Sequence, residues 1–147
     1  MGSPMLMNSE FIVAVHSLVF LAYTPERMAT SELIACNVAT HPARVRKVLS
    51  CLRKAGYVAT KEGIGGGYLL NCDPGEVTLA DVYRAMCPGA LKPSWSSGDP
   101  EGQCVVSSNM RHVMDRIFSD AERHLEAYFE KLTIGRVLES IRMTAER

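Results

Sequence analysis

Arg44, Arg46, Lys47, Arg53, Lys54 and Lys61 fall within one short stretch, and the chemistry such a group offers is phosphate neutralisation. From Thr40 to Glu62 there are six basic residues and one acidic residue, a net of +5, while the 147-residue chain sums to zero. Charge alone would describe an ordinary solvated helix face. The second group with chemical potential is thiol: Cys36, Cys51, Cys72, Cys87 and Cys104. Cys104 stands just before a predicted helix, where unpaired N–H groups favour a thiolate, and is the candidate reactive residue. Cys87 lies at the other end of the same loop as a candidate disulfide partner, and Cys36 is a candidate for a bridge between subunits. For Cys36, Cys51, Cys72 and Cys87 the competing reading is a small apolar filler.

The elements that position the cations are legible. Thr40 is predicted to cap a helix, with Pro42 just inside it and Gly56 ending it. Val45, Val48, Leu49 and Leu52 recur at helical spacing as its buried stripe. Thr40, Ala43, Arg44, Lys47 and Lys54 then share the opposite face. Residues 57–61 and 68–70 read as strands joined by Glu62-Gly63-Ile64-Gly65-Gly66-Gly67, a turn too rich in glycine for a helix. Helix then hairpin is the order of a winged helix-turn-helix. The candidate contact set for double-stranded DNA is therefore Thr40, His41, Ala43, Arg44, Lys47 and Lys54 on the helix. Lys61, Gly65, Gly66, Gly67 and Tyr68 complete it on the wing.

Ahead of this unit, residues 10–23 are apolar almost all round and predict a buried scaffold helix on which His16 is a hydrogen-bonded core residue. A second helix, capped by Thr30 or Ser31, is expected to run to about Val38 with Leu33, Ile34 and Val38 inward. After the wing, Thr78-Leu79-Ala80-Asp81 has the pattern of a capping box opening a short helix to about Met86. Pro88 to Gln103 breaks all periodicity and holds the single tryptophan, Trp95. Long loops of that kind tend to be functional or disordered. A long helix is predicted from Ser107 or Ser108 to about Leu132, and a short one capped by Thr133. Residues 107–147 carry seven acidic and seven basic side chains, so this arm is no phosphate binder. It is expected to dimerise, because a palindrome is read by two recognition helices one DNA turn apart. The expected organisation is a winged helix-turn-helix domain over 5–86, a sensor loop over 87–106, and a dimerisation helix with a short terminal helix over 107–147. The fold class is mainly α with a small β-hairpin wing.

Composition excludes other classes. With 47% hydrophobic and 22% charged residues the chain is neither disordered nor membrane-embedded. The longest apolar run, residues 11–22, is too short to cross a bilayer, and no cation precedes it as in a signal peptide. The expected location is the cytoplasm, and an odd cysteine count without a CxxC pair does not resemble a secreted disulfide framework. The first four residues read as a cloning remnant.

The segments Leu52-Arg53-Lys54-Ala55-Gly56-Tyr57-Val58, Gly65-Gly66-Gly67-Tyr68-Leu69-Leu70 and Val77-Thr78-Leu79-Ala80-Asp81-Val82 resemble the Rrf2 family of bacterial transcription regulators over nearly the whole chain. The resemblance implies a homodimeric winged-helix DNA binder whose long helix crosses its partner. Some members hold an iron–sulfur cluster on three loop cysteines. This loop has Cys104 alone, with Ser107 where one branch has histidine and Ile12 where another supplies a carboxylate, so it resembles the cluster-less branch and no cofactor is expected. Glu62 stands where many members have a wing arginine, leaving Lys61 as the nearest cation.

The expected function is a DNA-binding regulator, a repressor acting as a homodimer on a palindromic operator and switched by cysteine oxidation or a small-molecule effector. The alternatives are a cluster-sensing regulator of the same fold, or a thiol enzyme using Cys104 with His112 or His124. The enzyme reading lacks a third orienting group, and the glycines lead into a strand instead of a phosphate-binding helix.

Overall fold

The computed structural model describes residues 4–146, with side chains from Ser9 onward. The element order is α1 (Pro4–Tyr23), β1 (Met28–Ala29), α2 (Ser31–Val38), α3 (Pro42–Lys54), β2 (Val58–Lys61), β3 (Gly67–Leu70), α4 (Leu79–Met86), α5 (Val105–Phe129) and α6 (Ile134–Ala145). This is the expected mainly helical class with a small antiparallel sheet.

Helix α1 is the central post, and α2, α3, α4 and α6 all pack on it. Leu18 and Leu21 from α1 meet Ile34, Leu49, Leu52, Val82 and Ile134, all fully buried. Ser17 is tolerated at the centre because its hydroxyl donates to the Val13 carbonyl at 2.7 Å. The helix starts at Pro4, well before the expected residue 10, and proline suits a first helical position; residues 1–3 of the supposed remnant lie outside the described residues. Leu33 is also corrected: it is 52% exposed, because Ser31, Ile34 and Ala35 form the buried face of the short α2.

The sheet has the order β1-β3-β2. Val58 pairs with Leu70 and Lys61 with Gly67, while Met28 and Ala29 add a third strand against Leu69 and Tyr68. A two-residue strand carries no alternation, which is why the sequence showed only the hairpin. At the wing turn a Cβ on Gly66 would stand 2.1 Å from the Lys61 carbonyl oxygen, so backbone closes on backbone there. The Thr78 box is complete, with Thr78 Oγ1 accepting the Asp81 N–H and Asp81 Oδ2 accepting the Thr78 N–H.

Helix α5 starts at Val105 and ends at Phe129, two to three residues earlier at each end than expected. The β-branched Val105-Val106 pair disguised its start. The chain turns after Phe129 so that the segment at 132–134 can lie against 77–79: Leu79 N–H donates to Leu132 O at 2.8 Å and Ile134 N–H to Val77 O at 3.0 Å. Helix α6 therefore returns to α1 and lies with the head, whereas the sequence reading grouped it with the dimerisation arm.

Candidate nucleic-acid interface

Helices α2 and α3 form a tight helix-turn-helix. Thr30 Oγ1 caps α2 through the Leu33 N–H (3.1 Å), and Ala39 takes a left-handed conformation that swings the chain into α3. The cap of α3 is His41, not Thr40. Its Nδ1 accepts the Ala43 N–H at 3.0 Å, whereas the Thr40 N–H closes the previous turn on Ala35 O. Pro42 held the signal, since proline at the first helical position places the cap one residue before it. With Nδ1 accepting, Nε2 of the exposed His41 is the N–H donor facing solvent.

The buried stripe of α3 is the expected one, Val45, Val48, Leu49 and Leu52. Opposite it, Ala43, Lys47 and Lys54 are exposed and Arg44 and Thr40 half-exposed. Lys47 is not free: its Nζ lies 3.1 Å from Glu10 Oε1 on α1. Arg46 reaches Glu32 of α2 at 3.9 Å and braces the motif. Among the described residues Arg44, Arg53, Lys54 and Lys61 pair with no carboxylate, which leaves these four of the six cations electrostatically open. Gly56 (φ +88°) ends the helix, its N–H on Arg53 O and that of Tyr57 on Leu52 O.

On the wing, Lys61 and Gly65 are exposed, whereas Tyr68 is half-buried against the core and paired with Thr60 and Ala29. Tyr68 thus anchors the wing. Ile64 at the tip is fully exposed, an apolar side chain between glycines that the sequence reading did not single out.

The thiols divide sharply. Cys104 is exposed at the N-cap of α5, where the backbone N–H groups of Ser107 and Val106 hold it below the ordinary thiol value. Cys87 is fully buried, and burial, then the charges of Glu122 and Glu10, push it up to about 11. Cys36 is exposed on α2; Cys51 and Cys72 are half-buried, and all five are free thiols. His112 and His124 are exposed on α5.

Known proteins give the same picture. Residues 7–140 match the Rrf2 family, described as iron-dependent transcriptional regulators. YwnA of Bacillus subtilis, named as an HTH-type transcriptional regulator, is 30% identical over 121 residues, covering 82% of this chain and 88% of its own. A Lactobacillus plantarum structure named as that of a transcriptional regulator superposes with a TM-score of 0.77 at 26% identity, over 90% of this chain and 89% of the other. CymR, the global cysteine regulator of B. subtilis, shares the fold with a TM-score of 0.65 at 21% identity, over 90% and 95% of the two chains. No described helix is long and apolar enough to cross a membrane. A chain with this helix-turn-helix, this wing and these relatives belongs to the Rrf2 family of transcriptional regulators, with DNA as its partner and no enzymatic role.

Proposed function

We propose that the chain is a cytoplasmic homodimer that binds a palindromic operator through α3, represses by occupying it, and is switched at the 88–103 loop and Cys104. The observation that carries the DNA-contact assignment is the α3 surface, where Arg44 and Lys54 lie outside the buried stripe, with His41 exposed at the cap and Lys61 exposed on the wing. Such cations position the protein on phosphates, and the residues at the helix N-terminus reach base edges.

Dimerisation is supported by two unmatched apolar surfaces. Helix α5 packs Leu125 and Phe129 against the head, yet Val106 (69% exposed), Val113 (45%), Ile117 (51%) and Tyr128 (58%) form a second stripe in solvent. Between α1 and α6 runs an apolar groove of about 710 Å³, with Phe11, Val15, Val19, Val137 and Leu138 among its walls. A ridge and a groove that one copy leaves open are what a two-fold partner fills.

The thiol switch rests on the exposure and lowered pKa of Cys104. A peroxide would oxidise that thiolate to a sulfenic acid, the O–O bond breaking and hydroxide leaving; a second thiol, the exposed Cys36, would then displace water to form a disulfide, whereas the fully buried Cys87 is out of reach in the folded chain. We propose operation without an iron–sulfur cluster. The donor set supports this, since the loop offers Cys104 alone and no three His, Cys, Asp or Glu side chains converge among the described residues.

The test is capture of genomic fragments by reduced and by peroxide-treated protein, with sequencing of the bound DNA. A palindrome enriched by one redox form supports the whole reading. Equal enrichment by both removes the thiol switch, and no enriched site removes operator binding.

A further inference from the structure

The loop at 88–103 is tied to α5 at both ends. At its start the Gly89 N–H donates to Glu122 Oε1 at 3.0 Å, and at its end the Asp99 N–H donates to Ser107 O at 3.0 Å and Ser107 Oγ at 2.9 Å. The second tie is close enough that a Cβ on Gly98 (φ +86°) would stand 2.3 Å from the Ser107 carbonyl oxygen. Between the ties the loop and the helix flank a cavity of about 400 Å³ that is half open to solvent. That volume suits a single-ring molecule.

The walls define its chemistry. Met114 and Phe118 of α5 provide an apolar floor, and Trp95, 75% exposed, stands opposite on the loop. An indole left this open beside a cavity gains by being covered. Lys92 and Arg111 also line the cavity, and among the described residues neither pairs with a carboxylate. Asp115 is the third charged lining residue, so the wall carries one net positive charge. One negative charge balances it; a phosphate dianion does not, and a neutral ring leaves both cations unanswered.

We propose that this cavity is the effector site and that its ligand is a small aromatic monocarboxylate, ring against Trp95 and Phe118, carboxylate on Arg111 and Lys92. The proposal rests on the reading of the chain as a loop-switched regulator. Because both loop ends are fastened to α5, filling the gap fixes the loop against the helix assigned to dimerisation, which changes how freely the two DNA-binding heads tilt.

Trp95 is the single tryptophan of the chain, so its fluorescence reports occupancy directly. The full-length protein is titrated with benzoate, phenylacetate and 3-phenylpropionate, with benzamide as the neutral control. At least one acid should give a saturable change, benzamide none, and Arg111→Met and Lys92→Met should each weaken binding by about tenfold or more, the loss of a charge-assisted hydrogen bond. Both side chains are on the surface, and circular dichroism confirms that the variants fold. Flat titrations with all three acids, or unchanged affinity in both variants, overturn the site. Operator binding without any acid is measured in parallel. Its absence refutes the regulator reading whatever the fluorescence shows, whereas operator binding with flat titrations refutes the effector site alone.

Discussion

The Tyr83 hydroxyl donates to Glu122 Oε1 across 2.6 Å, joining α4, which packs on α1 and α3, to the middle of α5. The same carboxylate oxygen takes the Gly89 N–H, and the Tyr83 oxygen takes the Ala90 N–H at 3.1 Å. Phe11, Tyr83 and Phe129 pack around this node with ring centroids 5.3–5.9 Å apart. Burial, reinforced by the hydrogen bond to Glu122, raises the Tyr83 pKa far above its ordinary value, so the phenol stays a donor throughout the stable pH range. Glu122 Oε2 is buried without a partner among the described residues, which marks the node as one held by geometry at some cost.

Removing that carboxylate leaves the Tyr83 hydroxyl and the Gly89 N–H without an acceptor. Glu122→Ala is therefore expected to lower stability by about 1–3 kcal/mol in urea unfolding and to raise hydrogen exchange at Gly89 and Ala90. Exchange at those amides equal to wild type would refute the clasp.

Arg44→Ala and Lys54→Ala should each weaken operator binding and reduce the slope of log K against log salt by about one. Lys47→Ala should cost less, because Lys47 already shares its charge with Glu10. Glu10→Gln, by releasing Lys47, is expected to tighten binding. Mobility-shift titrations at several salt concentrations separate these cases, and unchanged binding in both Arg44→Ala and Lys54→Ala would sink the assignment of the recognition helix.

The opposed thiol environments predict opposed reactivity. Alkylation of the native protein followed by mass spectrometry should label Cys104 fast at neutral pH, where its lowered pKa gives a larger thiolate fraction, and Cys87 only on unfolding. Cys87 also carries a stability signature. Its thiol is neutral in the folded protein up to about 11, but in the unfolded chain it ionises near its ordinary 9.0. Its contribution is therefore fully present below pH 9 and is lost as pH rises from 9 towards 11, by at most about 3 kcal/mol. The melting temperature should fall over that window, and less so in Cys87→Ala.

Val113→Glu combined with Ile117→Glu places charges on the exposed stripe of α5 without touching the core. Sedimentation should show a shift towards monomer, with helical content unchanged and operator affinity reduced at least tenfold, since one head loses the effective concentration provided by the other. A double variant that sediments like wild type would place the dimer interface elsewhere.

Elements whose signals are local were readable in the chain. The buried stripe of α3, its glycine stop, the Thr78 box and the Thr133 cap all depend on residues within one or two turns. What sequence did not reveal depends on distant partners. Strand β1 exists only because Leu69 and Tyr68 accept it, Lys47 meets Glu10 from another helix, and the end of α5 is set by Val77 and Leu79. The cavity beneath the loop was invisible for the same reason, since Lys92 and Trp95 reach Arg111 and Phe118 only through the two ties. The shift of the α3 cap to His41 was a local signal misread, because Pro42 outranks the better capping chemistry of threonine.

The pairing of 132–134 with 77–79 also has a consequence for synthesis. Ile134 fills the centre of a core whose other fully buried members lie at residue 82 or earlier, so the head leaves the ribosome with a vacancy in that core. At 5–20 residues per second the missing side chain arrives roughly 2–10 s later. During that interval the apolar face of α1 has no cover from α6.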